Sequence, residues 1–331
     1  MKIRPYLYSL VLLGLALMMS LGIGSVFLSP IQLWAALTGH GTQTSATILW
    51  AIRFPRTALI ALTGMALGGS GATFQGLFRN PLADPFLIGV ASGAGLGAVL
   101  AMSIHWPYTT LGLAAVPAAA FVTGLLTVFL VYTFARVGGG VPVTNLILAG
   151  VAVSAFATSL TSYLMLRSTG ELHQAISWLL GGVSLSSWSV ILALVPYLAI
   201  GLTILAFNGH ALNLLQFGDD QAVQMGLDVK RAKIIIIVAA SFVTAAAVSF
   251  AGIIGFVGLI IPHVVRMWWG ADYRRLIPLS ILSGASALLL ADVLSRVVIA
   301  PQELPLGIIT ALAGAPFFLW ILQRAKNQGF W

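Results

Sequence analysis

Cysteine is absent from all 331 residues, which excludes disulfides, thiol chemistry and cysteine-ligated clusters. Charge is scarce: Asp, Glu, Lys and Arg together make up 7% of the chain, and eight residues are acidic. A soluble surface cannot be covered with so little charge. The phosphate-binding loop GxxxxGK[ST] is missing, so the chain does not bind ATP by that route. No pair of His, Asp or Glu stands at metal-ligand spacing. The five histidines, His40, His105, His173, His210 and His263, are isolated and read as interface or packing residues. Strand-like alternation is absent too, which excludes a membrane barrel.

What remains is grease, with hydrophobic residues filling 59% of the chain. Runs of spanning length lie at 6–27, 58–77, 86–102, 111–134, 144–166, 189–207, 234–261, 277–299 and 306–322. The first is too long for a signal-peptide core and is read as a retained span. The fold class is an all-α polytopic membrane protein, one integral domain over 1–331 with no water-soluble insertion.

Charge sets the topology. With Lys2 and Arg4 cytoplasmic, alternation brings Arg79, Arg136, Lys230, Arg231 and Lys233 to the same side. A single crossing at 234–261 would then put Arg266, Arg274 and Arg275 outside, against the positive-inside tendency. The glycines of AGIIGFVG (251–258) allow two crossings instead, with a broken, short segment near 252–268 buried in protein. That makes about ten transmembrane helices, with both termini cytoplasmic. All but four (Arg53, Arg56, Arg167 and Arg296) of the 16 Lys and Arg fall inside. The net charge of +8 thus anchors spans and lipid and points to no nucleic acid. GELHQAISWLLGGVSLSSW (170–188) is too short and broken to cross, and reads as an outer interfacial helix.

Charge of both signs is densest at 218–233, where Asp219, Asp220 and Asp228 adjoin Lys230, Arg231 and Lys233. Asp219 and Asp220 suit a helix N-terminus, and Gly226 a C-terminal stop. The stretch is either a solvated loop or a handle for a soluble partner. Arg53, Arg56 and Arg296 lie at outer span mouths; they either snorkel to lipid phosphate or receive an acidic partner. Asp292, alone among the acids inside a span, has Arg296 one turn on and reads as a structural ion pair. In the fifth span Thr144, Ser154, Thr158, Thr161 and Ser162 recur at helical spacing, with Asn145 at the inner end. They bond their own helix carbonyls or line a pathway.

Seven segments, spread over nearly the whole chain, resemble one family. They are RFPR (53–56), QGLFRNPLADPFLIGVASGAGLGA (75–98), LILAGVAVS (146–154), WLLGG (178–182), GIIGFVGLIIPHVVR (252–266), LLLADVLSR (288–296) and ELPLGIITALAGAPFFLWIL (303–322). The family is that of the FecCD-type permeases, the membrane subunits of binding-protein-dependent ABC importers for iron chelates, haem and cobalamin. The resemblance implies a homodimer of ten-segment subunits in the cytoplasmic (inner) membrane, with the pathway on the two-fold axis beside the fifth span. It implies two cytoplasmic ABC ATPase subunits, which hold ATP and Mg, and an extracytoplasmic substrate-binding protein. It implies no catalytic residue, metal or cofactor on this chain. DQAVQMG (220–226) resembles the ATPase-docking EAA loop, with Asp for Glu and Gln for the first Ala. On that likeness 218–230 is the coupling-helix region, carried by Asp219, Asp220, Ala222, Gly226 and Leu227. Arg53, Arg56 and Arg296 match arginines that meet acidic residues of the binding protein. Val143 and Thr144 match the cytoplasmic gate. The cargo stays open among iron-siderophore, haem and cobalamin. The alternatives are a molybdate-type oxyanion importer or, in another class, an ion-coupled secondary transporter, against which the scarcity of buried acids argues.

Overall fold

A computed structural model describes residues 3–104, 110–138, 140–167, 172–183 and 186–327; His105 and Glu171 lie outside them. The helices are α1 (Arg4–Gly22), α2 (Pro30–Leu37), α3 (Gln43–Thr47), α4 (Phe54–Leu77), α5 (Val90–Met102), α6 (Thr110–Ala135), α7 (Val143–Arg167), α8 (Leu172–Leu179), α9 (Trp188–Phe207), α10 (Gly209–Leu215), α11 (Asp219–Gln224), α12 (Val229–Ala251), α13 (Val257–Trp269), α14 (Tyr273–Val297) and α15 (Leu306–Asn327). A π turn (Ile48–Arg53) joins α3 to α4, and a 3₁₀ turn (Pro85–Ile88) precedes α5. Among the described residues, seven helices are long and apolar enough to span a membrane, and Val90–Met102, Val257–Trp269 and Leu306–Ile321 are shorter apolar helices.

Every expected run is helical, and the long one is split as its glycines suggest. α12 stops at Gly252, whose φ of 75° suits glycine, and α13 restarts after Phe256, a non-glycine residue at φ 68°. A side chain at φ above zero is uncommon. Here the Phe256 ring lies over Gly314 of α15, where a Cβ would come within 2.4 Å of its Cγ. The expected interfacial helix is present in its described part as α8.

α4 is the axis of the bundle, with 83% of its most apolar stretch buried. Its glycines make that possible, since small residues let membrane helices approach at backbone distance. A Cβ on Gly64 would lie 2.4 Å from the Gly284 carbonyl oxygen of α14, and one on Gly71 would lie 2.0 Å from that of Gly258 in α13. α1, α9, α12, α13 and α14 surround α4, while α5, α6 and α7 pack as a second group joined to it through α12. α7 is the opposite of α4: only 17% of its apolar stretch is buried.

Candidate functional site

The two ends of the bundle carry the polar chemistry. At one end lies α11, one and a half turns long. Ala222 is fully buried and pins it to the core. Its C-terminus closes in a Schellman arrangement, in which Gly226 N donates to the Val223 carbonyl (2.9 Å) and Leu227 N to the Ala222 carbonyl (3.0 Å). Gly226 stands at φ 88°, a conformation that costs a side chain about 1–2 kcal/mol. Lys233 reaches back from α12 to ion-pair with Asp219. Asp228 caps α12 by accepting from Arg231 N (3.0 Å) and pairs with the Arg231 guanidinium at 3.0 Å. Outward α11 shows Asp220, Gln221 and Gln224 beside the exposed apolar Phe217, Val223 and Met225.

Across a cavity of about 420 Å³, α11 and the start of α12 face Tyr132 near the end of α6 and Gly140 and Val141 in the segment that leads into α7. Val143 and Asn145 are half-buried and Thr144 exposed at the first turn of that helix. The expected coupling helix thus shares a cavity with Gly140 and Val141, just ahead of the expected gate residues, which do not themselves line it. Further along α7, Thr158 is exposed and Ser154 half-buried against Gly89. Thr161 is 6% exposed and its hydroxyl donates to the Ala157 carbonyl (2.8 Å), the first of the two uses that the sequence allows for these hydroxyls.

Two carboxyls at this end sit in opposite environments. Asp84, half-buried in the loop after α4, accepts from Phe86 N at 2.8 Å; burial pushes its carboxyl from 3.8 up to about 6. Hydrogen bonds from Arg274, and then from Asn213, hold the Asp272 carboxyl down at about 2.

At the other end the arginines turn inward. Arg53 is 5% exposed and gives its guanidinium to the carbonyls of Leu21, Gly22 and Val26 at the end of α1. Arg296 is 4% exposed; it pairs with Asp292 at 2.8 Å and donates to the Ser20 carbonyl at 3.2 Å. In this fold the donors of both are directed at buried acceptors within the chain. Arg56 is partly open. It reaches the fully buried Asp292 at 2.9 Å and the exposed Glu303 at 2.6 Å. Arg56 and Glu303 line a small cavity with Ser177, Gly181, Gly182 and Val183. The Asp292–Arg296 pair expected from sequence is present, but Arg56 and Glu303 were not linked to it, because nothing local marks partners 236 and 247 residues away. A carboxylate flanking a proline at a span mouth, as in ELP, was the available sign.

Among the described residues no three of His, Asp or Glu converge as metal ligands. The FecCD transport family model matches residues 12–324. The hemin transport system permease protein HmuU of Yersinia pestis is 37% identical over 99% of this chain and 98% of its own. The cobalamin import system permease protein BtuC of Halobacterium salinarum is 43% identical over 85% of this chain and 74% of its own. A solved inward-facing structure of a metal-chelate type ABC transporter superposes with a TM-score of 0.85 at 32% identity, covering 96% of this chain and 98% of that one. The chain belongs to the FecCD transport family and is a transmembrane permease of the ABC importer type.

Proposed function

We propose that this chain forms half of a homodimeric permease that carries a bulky metal chelate, an iron-siderophore, haem or cobalamin, across the cytoplasmic membrane. Two ATPase subunits, holding ATP and Mg, dock at α11, and a substrate-binding protein docks at the opposite end. The seven span-length and three shorter apolar helices are its ten membrane segments. Both termini are read as cytoplasmic, because the positive-inside tendency assigns the basic α11 end to the cytoplasm.

The observation that carries this reading is the shared cavity between α11 and the segment entering α7. α11 is tied to the core through Ala222 and to α12 through Lys233, so a displacement of α11 by ATP-driven closure of the ATPases passes to the start of α7. There Val143, Thr144 and Asn145 act as the gate, and Ser154 and Thr158 line the route. The open face of α7, with Leu148 63%, Phe156 70% and Leu166 88% exposed, supports a second copy and a pathway beside it. At the outer end Arg56, the arginine with an open edge, takes the docking role.

The test is reconstitution of the permease with its ATPase and binding protein in proteoliposomes. ATP-dependent accumulation of at least one of haem, cobalamin or a ferric siderophore is expected. Accumulation of molybdate and of none of these chelates, or chelate uptake driven by a proton gradient without ATP, would overturn the reading.

A further inference from the structure

α4 and α11 end in the same way. After α4, Arg79 N donates to the Gly76 carbonyl (3.2 Å) and Asn80 N to the Gln75 carbonyl (3.1 Å), the pattern that follows Val223 and Ala222 at the end of α11. At α11 the left-handed residue of the motif is Gly226; at α4 it is Arg79, at φ 51°. Glycine fits that position without strain, so an arginine there is a departure that the backbone does not ask for. Strain held in this way points to a task for the side chain.

The guanidinium lies beside the start of α11, where a Cβ on Gly218 would be 3.6 Å from Arg79 Nη1. Arg79 is exposed. Gln216 Nε2 donates to the Gly76 carbonyl at 2.9 Å, so the α4 terminus and the α10–α11 connection are tied together. Yet no ion pair among the described residues includes Arg79. Of the carboxylates around α11, Asp219 pairs with Lys233, Asp228 with Arg231 and Asp272 with Arg274, while Asp220 is exposed and forms no ion pair among the described residues, with Arg79 or with any other cation. A cation at a helix C-terminus complements the dipole, but a cation at any neighbouring position does so without a positive φ.

We propose that Arg79 is a second anchor for the ATPase subunit, adding a carboxylate-binding guanidinium to the apolar and acidic face of α11. This rests on the reading that α11 docks the ATPase. The partner surface it fits carries a carboxylate opposite Arg79, next to an apolar recess for Val223 and Met225. Arginine suits the task because its planar fork matches a carboxylate with two hydrogen bonds.

The experiment measures binding of the ATPase subunit that supports uptake in the reconstitution above to the permease in nanodiscs, for the unmodified chain, R79G, R79K and R79E. R79G removes the guanidinium and relieves the backbone, so it is expected to keep or raise the melting temperature while weakening ATPase binding about tenfold. R79K should fall between R79G and the unmodified chain. R79E keeps a side chain on the same backbone and should bind more weakly than R79G, with a flatter dependence on salt than the unmodified chain. ATPase binding by R79G as tight as that of the unmodified chain, or binding by R79E no weaker than by R79G, would overturn the assignment and leave Arg79 a helix terminus only. Failure of the unmodified permease to bind the ATPase at all would overturn the docking reading itself, and this inference with it.

Discussion

At the Arg56 end of the bundle, Arg53, Arg296 and most of Arg56 are folded into the protein around Asp292 and the end of α1. At the α11 end, Asp220, Lys230, Arg231 and Arg79 stand in solvent. Both ends mix charge, and both read from the sequence as docking surfaces. They differ in what answers the charge. Buried arginines must have acceptors, since an uncompensated buried charge is costly, and at the Arg56 end those acceptors are in the chain itself. The exposed charges at the other end are individually worth little to the fold, roughly 0–1 kcal/mol for a surface pair, which leaves them free for a partner. The Asp292 cluster fastens α1, α4 and α14 together, and Arg56, its partly open member, also meets the exposed Glu303.

The largest test of that contrast is Asp292→Ala, which removes the buried carboxylate shared by Arg56 and Arg296. Thermal unfolding in detergent should report a loss of about 3–5 kcal/mol. Next comes Gly226→Val. No atom lies within 4 Å of a Cβ placed there, so the cost is backbone conformation, about 1–2 kcal/mol. It falls on the α11 turn: ATPase co-purification should drop while membrane insertion stays normal. Unchanged co-purification and transport would remove α11 from the coupling role. Smaller still is Glu303→Gln, which releases the same arginine from its exposed partner and should cost no more than about 1 kcal/mol. If it destabilises the chain as much as Asp292→Ala, the distinction between buried and exposed partners fails.

A further test of the same contrast is a pH slope at the α11 end. The Asp84 carboxyl is raised in the fold from 3.8 to about 6, so between those values the folded chain holds a proton that the unfolded chain gives up. Its stability is therefore greatest below 3.8 and falls as pH rises to about 6. Asp272, lowered to about 2, works in reverse: its stabilisation is full above 3.8 and is lost as pH falls toward 2. In Asp84→Asn, melting temperature measured against pH should lose its decline between 3.8 and about 6; an unchanged profile would mean that Asp84 titrates as an exposed carboxyl.

Much of this was legible in the chain. Bilayer thickness sets the length of an apolar run, so the nine runs emerge as helices; the boundaries moved because helices continue into the interface, as α12 does in taking up Lys230, Arg231 and Lys233. Gly252 marked the break after α12, and Gly226 the end of α11, because a positive φ has a residue signature. Asp219 and Asp220 marked the start of α11 through the helix dipole. Helical spacing places Thr161 near Thr158, but only the packing of α7 on α5 and α6 says which of the two is covered. What the sequence alone determined is the set of membrane segments, the polar stretch between them and the ends of its helices, since each follows from spacing, charge and glycine over a few turns. Tertiary structure decided which charges are available. Arg56 meets Asp292 and Glu303, Arg53 meets the end of α1, and Arg79 is left without a carboxylate only because helices far apart in sequence pack side by side, and no local pattern records which acceptors that packing brings within reach.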